Sequence, residues 1–327
     1  MYFRTISNIT TDVEELVSVN QPQHNAYLWV VITMIVIIIF MGFIGNVMVI
    51  VVVKTTKKLQ TVSNYFIINL SISDLIFVCC VLPFNIYTFI TDGWYMEETL
   101  CKFIGFMGYM LTGTTIITVV LIAYNRYKLV TDMMGYRRLY SKTNIAAMIT
   151  LSWTLPVIFL IPAITELWGK FGYVPMMVTC NLLLDHNSQM FKIFLLIVRA
   201  GIPCGLIVYF YIKIYMTTYN SSKRILSNMR LLAPMDTNNL RREMHLTKMM
   251  VVIFLVFAIS YFPCTITGLI DWNHIMSKTF HMFCATTVYI GSALNPLLYG
   301  LFNQQFRDAY IKLLCRNKQN APIPVKH

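Results

Sequence analysis

Seven stretches of this chain run for more than twenty residues with few charges: Tyr27 to Val53, Val62 to Ile90, Leu100 to Val130, Thr143 to Glu166, Met190 to Thr218, Arg242 to Ile270 and Lys278 to Gly300. A hydrocarbon core about 30 Å thick is crossed by roughly 20 apolar residues of helix, whereas a spanning strand needs only about ten. Nothing but a helix or a closed barrel satisfies its backbone in lipid. Windows of this length therefore predict an all-α membrane protein, a bundle of seven transmembrane helices. With 57% hydrophobic and 12% charged residues and a mean hydropathy of +0.62, the 327-residue chain does not read as two soluble domains.

A net charge of +12 could suit nucleic acid, so the placement of the charges decides its meaning. Twenty of the 26 Lys and Arg fall in alternate connections or the tail, at 54 to 63, 125 to 142, 213 to 248 and 303 to 327. The positive-inside rule then puts the N-terminus outside the cell and the C-terminus inside, as seven spans require. The basic face meets cytoplasm and anionic lipid, and no nucleic-acid partner is expected. Residues 1 to 26 are read as an extracellular segment without an apolar leader, the first span serving as export signal. Asn8 begins an Asn-Ile-Thr triplet on that side and is the expected glycosylation site. Asn69 and Asn220 also begin such triplets, but in a span and on the inner side, where neither is expected to be used.

Cys101 and Cys180 both belong to the oxidising face, and a disulfide between them is expected. Cys79, Cys80, Cys204, Cys264 and Cys284 lie in spans, where buried thiols acting as small hydrophobes are expected. The bundle of residues 27 to 300 carries short loops and no internal repeat of the kind transporters show. Residues 301 to 315 place Phe302, Phe306, Tyr310, Leu313 and Leu314 at helical spacing beside Arg307 and Lys312, which reads as an amphipathic helix on the inner leaflet. Cys315 at its end is the expected palmitoylation site, and residues 316 to 327 are a cytoplasmic tail. No zinc ligand set, nucleophile with base or phosphate-binding glycine loop is present, so an enzyme is not expected.

Polar groups in hydrocarbon are unfavourable and point to function or to helix-to-helix hydrogen bonds. They are Asn46, Asp74, Arg126, Arg199 and Asn295. Together Gly45-Asn46, the run Asn69 to Asp74, Cys101 with Arg126, Trp153, Pro203 with Tyr211, Phe257 with Pro263, and Asn295-Pro-Leu-Leu-Tyr299 resemble the rhodopsin-like (class A) G-protein-coupled receptors. Each span supplies one motif, in order. The Asn125-Arg126-Tyr127 triplet, a short third inner loop and the lack of a pocket aspartate are similar to the melatonin-receptor branch and to the moody-like and trapped-in-endoderm-like receptors.

The resemblance implies a cell-surface receptor that turns extracellular ligand binding into activation of a heterotrimeric G protein, with arrestin and membrane lipids as further partners. It implies that Arg126 is restrained at rest by Glu243 and released on activation, with Tyr211 and Tyr299 swinging towards it. Most relatives carry an acid where this chain has Asn125, which can hydrogen-bond a guanidinium but not neutralise it. Weaker restraint is expected. The resemblance implies no cofactor beyond a sodium ion at Asp74, with Asn46, Thr115, Ser292 and Asn295, oxygen donors that suit a hard cation. It implies a ligand pocket of Asn85, Met107, Gly108, Thr112, Arg199, Tyr261, His281 and Tyr289. Gly108 leaves no carboxylate for an amine ligand, and Tyr289 replaces the lysine that would hold retinal.

Arg199 inside a span needs compensation from a ligand, an internal partner or water at the lipid boundary. The first would make the ligand anionic or lipid-like. The rival functions are a silent or scavenging seven-helix receptor, for which Asn125 speaks, and a transporter or channel, which the isolated polar residues disfavour.

Overall fold

The computed structural model describes the backbone of residues 2–227, 251–267, 271 and 275–319, and the side chains of 26–220, 251–267, 271 and 275–315. Helix α1 (Tyr2–Thr55) is followed by α2 (Val62–Cys80) and α3 (Leu82–Thr91), which share one span. Pro83 explains the break between them, because its ring cannot donate to the helix and collides with the carbonyl four residues back. Asp92 closes α3 in the left-handed region, at φ 50°. Helix α4 (Glu98–Thr131) is 34 residues long, roughly 50 Å, and runs through the middle of the bundle. Helices α5 (Met133–Leu139) and α6 (Lys142–Ile164) follow.

The fifth span is interrupted. Asp185 caps α7 (His186–Leu196) by accepting from the Ser188 N–H at 3.1 Å, and a π turn (Ile197–Gly201) then separates α7 from α8 (Ile202–Ser227). Pro203 lies just past the turn, so the widened backbone meets a residue with no N–H to offer. Helices α9 (Val251–Thr267) and α10 (Lys278–Phe302) supply the sixth and seventh spans, and α11 (Gln304–Gln319) turns away after Asn303. Among the described residues, five stretches are by themselves long and apolar enough to cross a bilayer: Ala26–Thr55, Val62–Thr91, Glu98–Thr131, Lys142–Ile164 and His186–Asn220; α9 is apolar but shorter.

The bundle is apolar outside and polar at selected points within. Trp29, Phe40, Ile158, Ile212 and Leu301 are exposed, as lipid contact demands, while Asn69, Asp74, Asn125 and Arg126 are buried. Asn69 ties three helices together: its Nδ2 donates to Thr118 Oγ1 at 2.8 Å and Ser152 Oγ at 3.1 Å, and its Oδ1 accepts from Trp153 Nε1 at 2.8 Å. An asparagine spent in this way offers nothing to a glycosyltransferase. Gly45 lets α1 close on α10, since a Cβ there would stand 2.8 Å from Pro296 Cβ.

One expectation needs correction. Cys79 and Cys80 are exposed on the lipid side and Cys204 and Cys264 only partly covered, so of the five span thiols only Cys284 is buried. The long connection after the fourth span contains an antiparallel hairpin, β1 (Phe171–Val174) with β2 (Thr179–Leu182), pairing Tyr173 with Cys180.

Candidate functional site

The hairpin is fixed across one end of the bundle by the Cys101–Cys180 disulfide, whose Cα atoms are 5.3 Å apart. Side chains hold it as well. Thr88 Oγ1 donates to the Val178 carbonyl at 2.7 Å, and Tyr109 OH donates to Asn181 Oδ1 at 2.9 Å. Thr179 Oγ1 donates to Asn85 Oδ1 at 2.8 Å, and Asn85 Nδ2 donates to Tyr289 OH at 2.9 Å. That relay joins β2, α3 and α10.

Beneath the hairpin lies a cavity of about 160 Å³. Six residues expected in the ligand pocket line it: Asn85, Gly108, Thr112, Arg199, Tyr261 and Tyr289. Two do not. Met107 packs into the apolar core instead, and His281 is buried against Asp271, its Nε2 lying 2.7 Å from Asp271 Oδ2. Asp271 also accepts from the Ile275 N–H at 2.7 Å, so the pair fastens the start of α10.

Arg199 faces this cavity, not lipid. It is 6% exposed, and its guanidinium carbon stands 4.9 Å from the centroid of the Tyr109 ring. Sequence reasoning passed over Tyr109, Thr179, Asn181 and above all Lys192, which also line the cavity. Lys192 is one of the six Lys and Arg outside the basic connections and tail. A cation two turns from Arg199 on one helix was the available signal.

Thr112 and Phe77 form a wall shared with a second, smaller cavity of about 30 Å³, lined also by Asp74, Thr115, Ser292 and Asn295. Space of that size admits one or two waters or a small ion. Asn295 Nδ2 donates to Asp74 Oδ2 at 2.9 Å, and Thr115 Oγ1 lies 3.3 Å from Ser73 Oγ. A buried carboxylate beside hydroxyl and amide oxygens is a donor set that fits sodium. Asn46, the fifth expected member, does not line the cavity. Its Nδ2 donates to the carbonyls of Gly42 and Ser292 at 2.8 and 2.9 Å, bracing α10 from behind.

At the far end of α4, Asn125 and Arg126 are buried. Asn125 Nδ2 donates to Tyr136 OH at 3.4 Å, so its amide leans on α5 instead of on the neighbouring guanidinium. Tyr127 stacks on Phe210 with ring centroids 5.3 Å apart, joining α4 to α8. Tyr211 packs among the same apolar side chains, and Tyr299 is buried against Phe306 at 5.4 Å, joining α10 to α11. Phe257 and Tyr261 stack at 5.5 Å on α9. Glu243, Arg241 and Arg242 lie outside the described residues, and the Asn8 side chain is not described either. Cys315 is an exposed thiol on α11.

The chain matches the family described as 7 transmembrane receptor (rhodopsin family) over residues 45–299. It is 28% identical to the G-protein coupled receptor moody of Drosophila melanogaster, over 84% of this chain and 49% of that protein. It is 27% identical to melatonin receptor type 1B-B of Danio rerio, over 88% of this chain and 82% of that one. It spans about half the length of the moody receptors it matches. Squid rhodopsin has the same fold, with a TM-score of 0.79 at 22% identity, covering 92% of this chain and 93% of that chain.

Proposed function

The chain belongs to the rhodopsin family of seven-transmembrane receptors, and from that premise we propose that it converts binding of an extracellular anionic ligand into activation of a heterotrimeric G protein. Membership makes it a multi-pass receptor of the plasma membrane, not an enzyme. The hairpin end is read as extracellular and the Arg126 end as cytoplasmic, with Asn8 glycosylated and Cys315 palmitoylated.

The observation that carries this reading is the separation of two functional ends along one helix. Gly108 and Thr112 of α4 line the covered cavity, and Arg126 of the same helix is buried at the other end. A ligand shifts such a bundle only by its different affinity for two helix packings. In the resting packing Arg126 is restrained by Glu243. In the active packing α9 swings outward, Tyr211 and Tyr299 approach Arg126, and the C-terminal helix of a G protein enters, followed by arrestin. Sodium at Asp74 favours the resting packing. Among the described residues of the lining an ammonium ligand meets no carboxylate, whereas Arg199 offers a planar fork to a carboxylate or phosphate.

G-protein dissociation in cells tests this, comparing wild type with Arg126→Ala at equal surface expression, first unstimulated and then with anionic lipids and acids. Wild type is expected to respond and Arg126→Ala to lose at least about tenfold, a barrier change of roughly 1.4 kcal/mol. Glu243→Gln is expected to raise the basal signal. Identical traces for wild type and Arg126→Ala under every condition would hand the chain to the silent-receptor reading.

A further inference from the structure

The cavity under the hairpin holds two cations. Lys192 on α7 and Arg199 in the π turn both line it. Seven residues of helix make two turns, which places them on one face and roughly 10 Å apart along the axis. Lys192 Nζ, Arg199 Nε and Arg199 Nη2 are buried with no hydrogen-bond partner among the described residues. Among the described residues the lining contains no Asp or Glu. Asp185, two turns before Lys192, is occupied at the helix start, where Ser188 N and Oγ donate to it at 3.1 and 2.6 Å.

Gly113 lets α4 close on α6, since a Cβ there would stand 2.9 Å from Pro156 Cβ, and Arg199 Nε passes at an ordinary contact distance of 3.5 Å. The Tyr109 ring attracts the guanidinium through its quadrupole but carries no charge to cancel it.

Two like charges in a space of low dielectric repel each other, and each lacks the water it would hold outside. One negative charge on a ligand compensates one cation and leaves the other exposed to that penalty. We propose that the cavity is a site for a dianionic amphiphile, its negative charges shared between Arg199, deeper in the bundle, and Lys192, two turns nearer the hairpin. The guanidinium binds a carboxylate or phosphate as a fork, and the ammonium acts as a point charge. Phe77, Ile104 and Val288 give the apolar body its wall. The inference rests on the cavity being the ligand site and is independent of G-protein coupling.

Dodecanoate, dodecanedioate and dodecyl phosphate share an alkyl chain and differ in charge: one, two at opposite ends, two at one end. Their affinities are measured on the full chain, purified and held in phosphatidylcholine nanodiscs at neutral pH. At least one dianion is expected to bind about tenfold or more tighter than dodecanoate, and the better of the two shows whether the cations act together or apart. Lys192→Met is expected to abolish that preference, Lys192→Arg to keep it, and Arg199→Met to weaken all three probes. Ligand-free Lys192→Met is expected to melt above wild type, since it removes a buried charge, which also establishes that the variant folds. Equal affinity for one and two charges, a preference that survives Lys192→Met, or no binding of any probe overturns the proposal. Dianion preference without a G-protein response overturns the coupling and leaves this site standing; a G-protein response to dodecanoate equal to that of the dianions does the reverse.

Discussion

The Arg199 guanidinium lies 4.9 Å over the ring of Tyr109, and the hydroxyl of that same tyrosine donates to Asn181 of the hairpin at 2.9 Å. One side chain on α4 thus joins the fifth span to the cover of the cavity. Tyr109→Phe keeps the ring and loses the hydrogen bond, an expected loss of about 1 kcal/mol. Tyr109→Leu removes the cation's π face too and adds about 1–2 kcal/mol. Thermal melting of the ligand-free protein should rank the variants in that order.

Asn69 predicts a rescue. Thr118 and Ser152 each donate to their own helix at 2.7 Å, so Asn69→Ala strands chiefly the Trp153 indole N–H. A loss of about 1 kcal/mol is expected, within the range measured for hydrogen bonds in membranes. Trp153→Phe in the same chain removes the stranded donor. The double variant should therefore lose less than the sum of the singles, as a double-mutant cycle on unfolding would reveal.

Gly45 and Gly205 should respond oppositely to a methyl group. At Gly45 it meets Pro296 Cβ at 2.8 Å and must push α1 from α10, an expected destabilisation of about 1–3 kcal/mol. At Gly205 nothing lies within 4 Å, so alanine should gain about 0.5–1 kcal/mol from helix propensity. Melting temperatures of the two alanine variants check the contrast.

Sodium should stabilise the resting protein through Asp74. Replacing sodium by potassium at constant ionic strength is expected to lower the melting temperature, with about 1.4 kcal/mol at stake when sodium stands near ten times its Kd. Asp74→Asn should melt identically in both salts. Wild type melting alike in both would remove sodium from the account.

Asp132 gives a pH dependence of known sign. The Gly135 N–H at 2.9 Å, and then Lys128 at 3.4 Å, hold its carboxyl below the ordinary carboxylate value. Its contribution to α5 is complete above the unfolded value near about 4 and is lost as pH falls through the lower folded value. Hydrogen-exchange protection of α5, corrected for intrinsic rate, should follow that loss. Asp132→Asn keeps an acceptor at the cap and should flatten the profile.

What sequence made legible follows from the range of the forces involved. The spans were visible because lipid acts on every residue of a window, and the Cys101–Cys180 bridge because compartment and topology leave few candidates. Half of the hairpin was written locally, as Phe171, Tyr173 and Val174 before Pro175, but its second strand, Thr179 to Leu182, carries one β-branched residue and no aromatic one. His281 could not be placed from its span alone, since the rotation of α10 that turns it towards Asp271 is set by packing. The π turn has no clear sequence signature beyond Pro203, whereas the seven-residue spacing of Lys192 and Arg199 was legible and went unused.

The hydrogen-bonded chain from Thr179 through Asn85 to Tyr289 means the cover over the cavity is not passive. Lifting the hairpin by little more than an ångström breaks that chain and releases the Tyr289 hydroxyl. Six residues further along the same rod, Asn295 grips Asp74. A guest that lifts the cover would therefore act on α10, and a molecule small enough to fit beneath it is expected to leave that chain of contacts intact.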